Sequence, residues 1–144
     1  MAEIYMTNNA AETKQIARAL GESLTGGEVI KLFGELGSGK TTFTQGLAEG
    51  LGIIKHITSP TFLIMKSYRI MNHKSRIRNI YHIDLYRVRD EHDIEGLGLS
   101  EILNNTESVV VIEWPEKLGK LRTVNNIPIS FEYINDQKRK ITVQ

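Results

Sequence analysis

Apolar residues in this chain fall into short runs whose spacing changes from one segment to the next. The densest is Ser108-Val109-Val110-Val111-Ile112-Glu113, a continuous β-branched run closed by Pro115. It predicts a strand buried on both faces of a parallel sheet. Glu28-Val29-Ile30-Lys31-Leu32-Phe33, entered from the Gly26-Gly27 turn, predicts a second. Between about Ala10 and Leu24 the spacing becomes helical, with Ile16, Ala17, Leu20 and Leu24 on one face and Thr7-Asn8-Asn9 offering caps. Phe43, Leu47 and Leu51 share a face of another helix.

The remaining segments are shorter. Ile4-Tyr5-Met6 predicts a first strand, and Phe62 to Ile70 another, turning through residues 71–75 into a return strand from Arg76 to Leu85. In that strand Ile77, Tyr81, Ile83 and Leu85 face one way; Ile80, His82, Asp84 and Tyr86 face the other. Asp90 to Gly96 predicts an acidic helical turn, and Ser100 to Asn104 another. Ile127 to Ile134 and Arg139 to Val143 predict a hairpin around Asn135-Asp136. Strands interleaved with helices, plus hairpins, imply an α/β three-layer sandwich with a mostly parallel central sheet and antiparallel additions, one domain over residues 1–144. The pattern leaves the strand order open.

Between the Glu28–Phe33 strand and the helix after it lies Gly34-Glu35-Leu36-Gly37-Ser38-Gly39-Lys40-Thr41, which fits G-x-x-x-x-G-K-[ST] at every fixed position. Strand, loop and helix come in the order that a phosphate-binding loop requires, so the sandwich is P-loop NTPase-like. Glycines such as Gly37 and Gly39 let several backbone N–H groups point at one anion, and Ser38 and Thr42 extend the cradle. The helix starting near Lys40 adds its positive dipole end. Lys40 is expected to reach the terminal phosphates of a nucleotide, and the Thr41 hydroxyl to coordinate Mg²⁺. ATP and Mg²⁺ are the expected ligands.

Such a site needs carboxylates on neighbouring strand ends. Glu113, closing the Val109–Ile112 run, and Asp84 are the candidates. Either can hold the metal while the other orients or deprotonates water; the reading favours Glu113 on Mg²⁺ and Asp84 on the water. Thr58-Ser59-Pro60-Thr61, between the loop helix and the next strand, is either a capping turn beside Pro60 or a switch that senses a terminal phosphate and Mg²⁺, with Thr61 as the contact. Trp114 is either a packing aromatic or one beside the nucleotide. His82 shares a face with Asp84. Asp93-Ile94-Glu95-Gly96 fits the D-x-x-G pattern of GTPases, but it follows no buried strand and no N-K-x-D exists in the chain, so a GTPase is excluded.

Composition adds limits. The 144 residues carry 18 Lys+Arg against 17 Asp+Glu, so bulk charge favours no partner. The distribution is uneven: residues 50–83 hold six Lys/Arg and no acid, residues 90–116 eight acids and no Lys or Arg. The absence of cysteine excludes disulfides and thiolate chemistry. No stretch has the length of a membrane span and the N-terminus lacks a signal-peptide pattern, which implies a soluble, cytoplasmic protein.

Taken together, Gly34 to Phe43, Thr58 to Phe62, His82-Ile83-Asp84-Leu85-Tyr86-Arg87 and Glu113-Trp114-Pro115-Glu116 resemble the bacterial TsaE (YjeE) family of small ATPases over about residues 10–118. The resemblance implies a role in forming N6-threonylcarbamoyladenosine at position 37 of tRNAs that read codons beginning with A. It implies docking on TsaD- and TsaB-type partners, with tRNA met through that complex and ATP hydrolysis resetting it between turnovers. It also implies Lys40 and Thr41 on phosphate and Mg²⁺, Thr58–Thr61 as a switch, and Asp84 and Glu113 as the two acids, with Trp114 beside them. The basic 71–78 hairpin looks particular to this chain, and the hairpin from Ile127 onward carries no motif of the family. Two other classes fit the same residues: a small-molecule kinase, marked by a phosphorylated acceptor, and an RNA-binding module on the basic 50–83 segment, marked by steep salt dependence.

Overall fold

The computed structural model describes residues 2–60, 64–72 and 75–144. Its seven strands form one sheet: β1 (Glu3–Thr7), β2 (Val29–Phe33), β3 (Met65–Arg69), β4 (Asn79–Asp84), β5 (Ser108–Glu113), β6 (Asn126–Tyr133) and β7 (Arg139–Val143). Their spatial order is β1-β7-β6-β2-β5-β4-β3. The four central strands, β6, β2, β5 and β4, are mutually parallel, whereas β3, β7 and β1 add antiparallel at the margins. The α/β fold with a mostly parallel centre is the one the apolar pattern implies.

Every residue of β5 is buried. Val109 and Val111 enter a core on one face of the sheet, with Phe43, Leu47, Ile80, Ile129 and Ile141. Val110 and Ile112 enter a second core on the other face, with Ile83, Leu85, Leu99 and Leu118. A strand covered on both sides must be apolar at successive positions, which is why its run is unbroken.

Helices α1 (Ala10–Ser23) and α2 (Lys40–Gly50) cover the first face. Asn9 caps α1, its side-chain oxygen accepting from the Glu12 amide at 2.9 Å. The expected apolar face of α1 packs on this core, and the seam with α2 adds two small residues that the apolar spacing does not mark. Thr13, Ala17 and Gly21 are the buried residues of α1, while Ile16, Leu20 and Leu24 are partly buried at its margin. The cause is close backbone approach: a Cβ on Gly21 would stand 2.4 Å from the Leu47 carbonyl oxygen, and one on Gly46 2.5 Å from that of Lys14. Small residues at four-residue spacing bring the backbones together, and longer side chains are displaced to the sides.

The second face carries α3 (Leu99–Leu103) and 3-10 turns at Glu91–Asp93 and Pro115–Leu118. The return strand begins at Asn79, later than its apolar pattern suggested. Ile77 therefore lies outside the alternation and packs in the first core, whereas Ile83 and Leu85 lie in the second. Expectations for residues 61–63 and 73–74 fall outside the described residues. Among the described residues no helix is long and apolar enough to cross a membrane.

Candidate functional site

Parallel strands β2, β5 and β4 end at one edge of the sheet, where loops leave the hydrogen-bonded ladder and chemistry collects in this class of fold. Register puts Glu113 beside both Leu32 and Asp84. The phosphate loop leaves β2 at that edge. Gly37 (φ 77°) and Gly39 (φ 106°) take the left-handed conformation, and Gly39 is the N-cap of α2. A Cβ on Gly34 would stand 2.6 Å from Ser38 Oγ and 3.1 Å from Phe131 Cβ, so the start of the loop admits glycine alone. Ser38 is buried, and its hydroxyl has no hydrogen-bond partner among the described residues.

Lys40 is 5% exposed. Its Nζ donates to the Gly34 carbonyl at 2.6 Å and lies 4.1 Å above the centre of the Trp114 ring. Burial lowers its pKa from the ordinary lysine value, while the nearby carboxylates Glu113, Asp84, Glu116 and Glu35 oppose the shift. Trp114 takes a left-handed backbone conformation (φ 58°), a strained choice for a bulky residue. Its indole lies 5.1 Å from the ring of Tyr86.

The two acids are held differently. Glu113 is 4% exposed and its Oε2 lies 2.6 Å from Nε2 of the fully buried His82. That contact requires a proton on Nε2 when Glu113 is ionised. His82 thus meets Glu113, not its face-mate Asp84, and its Nδ1 has no partner among the described residues. Asp84 is half-buried: Oδ1 accepts from the Tyr86 amide at 2.9 Å and Oδ2 from the Ser59 hydroxyl at 3.2 Å.

Gly37, Gly39, Lys40, Thr41, Thr42, Asp84, Glu113 and Trp114 line one cavity of about 300 Å³, with Leu36, Ser59, Tyr86 and Arg139. Ser38 is not in its lining. Thr61 lies outside the described residues. Thr58 is not in the lining either; its hydroxyl accepts from Lys66 Nζ at 2.9 Å. Asp93, from the D-x-x-G decoy, takes the Arg89 and Asp90 amides, which lower its pKa. Two larger hollows, about 660 Å³ beside β1 and α1 and about 580 Å³ beside α3, are lined mostly by apolar area and contain no phosphate-loop residue.

Among the described residues no three His, Cys, Asp or Glu side chains cluster as a self-sufficient metal site. The donor set fits Mg²⁺, which takes one or two protein oxygens and completes its shell with water and substrate phosphate. Thr41, Glu113 and Asp84 in one cavity offer that partial shell.

The sequence reading did not single out Arg139. This first residue of β7 sends Nη2 to the Gly37 carbonyl at 3.1 Å. No local motif marks it. Only the sheet order brings it there, because β7 runs antiparallel to β6 and starts at the edge where β2 ends.

The TsaE family, described as threonylcarbamoyl adenosine biosynthesis protein TsaE, matches residues 7–141. The chain belongs to the TsaE family. It is 38% identical to the Bacillus subtilis tRNA threonylcarbamoyladenosine biosynthesis protein TsaE over 138 residues, 96% of this chain and 82% of that one. It is 36% identical to the Treponema pallidum protein of the same name, over 96% of this chain and 97% of that one. The crystal structure of Bacillus subtilis YdiB superposes with a TM-score of 0.73 at 31% identity, covering 99% of this chain and 84% of that one. The TsaE match runs well past the motifs, which stop near residue 118, and takes in most of the C-terminal hairpin with Arg139.

Proposed function

We propose that this TsaE-family chain is a Mg²⁺-dependent ATPase. On this reading it serves the formation of N6-threonylcarbamoyladenosine at position 37 of tRNAs that read codons beginning with A. It works in the cytoplasm with TsaD- and TsaB-type partners and reaches tRNA through them. The observation that carries the ATPase reading is the convergence of Lys40, Thr41, Asp84 and Glu113 on one cavity at the end of β2. The names of its relatives support the pathway.

The residues divide the work. Gly37, Gly39, Thr41 and Thr42 direct loop and helix amides at the phosphates, and Lys40 neutralises the terminal ones. Thr41 and Glu113 would hold Mg²⁺, which would supply positive charge against the phosphates as negative charge develops there. His82 keeps Glu113 oriented from beneath. Asp84, aimed by Ser59 and the Tyr86 amide, orients the attacking water and takes its proton. Thr61 is assigned to the terminal phosphate from the sequence alone. Trp114 backs Lys40. Hydrolysis resets the partner complex between turnovers.

The test is phosphate release from Mg·ATP by the chain alone and with TsaD- and TsaB-type proteins, beside Lys40→Ala. The expected result is slow release alone, a clear rise with partners, and loss in the variant. Release unchanged by partners would remove the docking role, and a phosphorylated small acceptor would replace the ATPase with a kinase.

A further inference from the structure

The second face of the sheet has less cover than the first. Over the first lie α1, of 14 residues, and α2, of 11; over the second lie α3, of five, and two 3-10 turns. So thin a layer leaves the second core incompletely covered, and a groove of about 580 Å³ remains beside α3. Its lining is mostly apolar. Ile94, Leu99 and Leu118, buried members of the second core, line it together with partly buried Leu121. Apolar hollows of this size, open at a surface and rimmed by polar groups, are where protein partners insert anchoring side chains.

The charge around the groove narrows the partner. Glu91 and Glu95, both exposed, belong to its lining, and exposed Glu101 stands on α3. Lys120 is the one base in the lining among the described residues. Lys117 is turned to Tyr86 instead: its Nζ donates to the Tyr86 carbonyl and lies 5.4 Å from the ring centre. Residues 90–116 carry eight acids and no Lys or Arg. Nucleic acid or an anionic membrane would meet like charge here, whereas lysine or arginine beside an apolar anchor would meet opposite charge.

The groove also lies where a partner would be felt. One wall, with Glu91 to Glu95, follows β4, which ends at Asp84; the other, with Leu118 and Leu121, follows β5, which ends at Glu113. Both walls are thus continuations of the strands that carry the two acids of the phosphate site. The larger hollow beside β1 and α1 has no such connection.

We propose that this groove docks a short segment of a partner protein that sets apolar anchor side chains between lysines or arginines. The anchors fill the space over Ile94, Leu99 and Leu118, and the basic groups meet Glu91 and Glu95. This goes beyond the partner role given above, because it names a surface and the chemistry that the surface accepts.

The test uses the full chain without nucleotide, so that its failure leaves the ATPase reading standing. Three labelled peptides are titrated by fluorescence anisotropy: an amphipathic Leu/Lys helix, its Leu/Glu counterpart, and an oligolysine of equal charge. The proteins are wild type, Glu91→Lys with Glu95→Lys, and Glu22→Lys, which makes one such change on an exposed residue of α1 across the sheet. The expected result is binding of the Leu/Lys peptide alone, weakened about tenfold or more by the double reversal and unchanged by Glu22→Lys. No binding of that peptide would overturn the proposal. Equal binding of oligolysine would reduce the groove to a charged surface, and equal binding of the Leu/Glu peptide would remove the role of the acids; either overturns it. Equal weakening by Glu22→Lys would do the same, since binding would then follow net charge. Sedimentation of the chain alone checks a second copy as occupant: Ile54, wholly exposed beside Lys55 and His56, has the chemistry described. Self-association abolished by the double reversal would make that copy the occupant and overturn the proposal of a different partner.

Discussion

On one side of the phosphate loop, Asp84 and Glu113 close adjacent parallel strands, and each is fixed by a named partner: the Ser59 hydroxyl and the Tyr86 amide for Asp84, buried His82 for Glu113. On the other side, Arg139 opens an antiparallel hairpin whose neighbour Tyr133 is 53% exposed. The first side is embedded in the core and carries the acids; the second is a surface turn held by backbone carbonyls. The contrast assigns them different work. Groups that must keep one geometry through a reaction sit where packing locks them. A group that only braces the loop from outside, as Arg139 does through the Gly37 carbonyl, can sit on a turn.

The largest expected effect comes from the embedded side. Asp84→Asn keeps the acceptor for the Tyr86 amide and removes the base. ATP hydrolysis with partners present should fall by roughly 10²–10⁴, the range for a positioned general base. Mg·ATP binding should hold within about twofold. A single-turnover assay beside a binding isotherm checks both. If Asp84→Asn weakened binding and spared turnover, the division of labour between the two sides would be reversed.

The same contrast explains what could be read from the sequence. The embedded side is written locally. A phosphate loop is one unbroken string, and β5 is an unbroken apolar run because both its faces are covered, so the strand ends that carry Asp84 and Glu113 can be located. The hairpin itself was equally visible. What Arg139 touches was not, because its contact with Gly37 spans 102 positions and exists only once β6 pairs with β2 and β7 folds back. Strand order is a property of the packed sheet, and alternation within one strand does not encode it. One smaller misreading has the same origin. Ile77 seemed part of the return strand but precedes it and packs in the opposite core. The predicted inner face of α1 packs on the core, with Ala17 buried and Ile16, Leu20 and Leu24 against it, but the seam with α2 also buries Thr13 and Gly21, which apolar spacing does not mark.

That seam supports both sides from beneath, because α2 begins at Lys40 and continues the phosphate loop. Gly46→Ala tests it. In an exposed helix the change would stabilise by about 1 kcal/mol. Here the new methyl would stand 2.5 Å from the Lys14 carbonyl oxygen and 2.8 Å from its Cα, both backbone atoms with little room to move. The expected outcome is destabilisation by about 1–3 kcal/mol in a urea titration followed by circular dichroism. ATP and tripolyphosphate binding should weaken in parallel, since the loop shifts as a unit. A stabilised variant would mean that the helices separate readily and that the close seam is not what seats the loop.

The smallest effect concerns Lys40, which lies between the two sides. Its ammonium is buried, with its pKa lowered chiefly by desolvation, although Nζ keeps a hydrogen bond to Gly34 and the face of Trp114. A charge disfavoured in the folded chain costs stability wherever it is still protonated. Lys40→Met keeps an unbranched side chain of similar length and removes that charge, together with its contact over the Trp114 ring. The ligand-free chain should therefore melt about 1–3 °C higher at neutral pH while losing phosphate binding. The sign of the pH dependence follows from linkage. As pH rises through the lowered native value, folded wild type releases its proton before the unfolded chain does, so its stability rises. The advantage of the variant should shrink accordingly and disappear above the ordinary lysine value of about 10.4. Melting curves of both proteins from neutral to alkaline pH check this. A variant that melts lower at every pH would mean that the Gly34 and Trp114 contacts outweigh the desolvation, making Lys40 a structural support of the loop as well as its phosphate ligand.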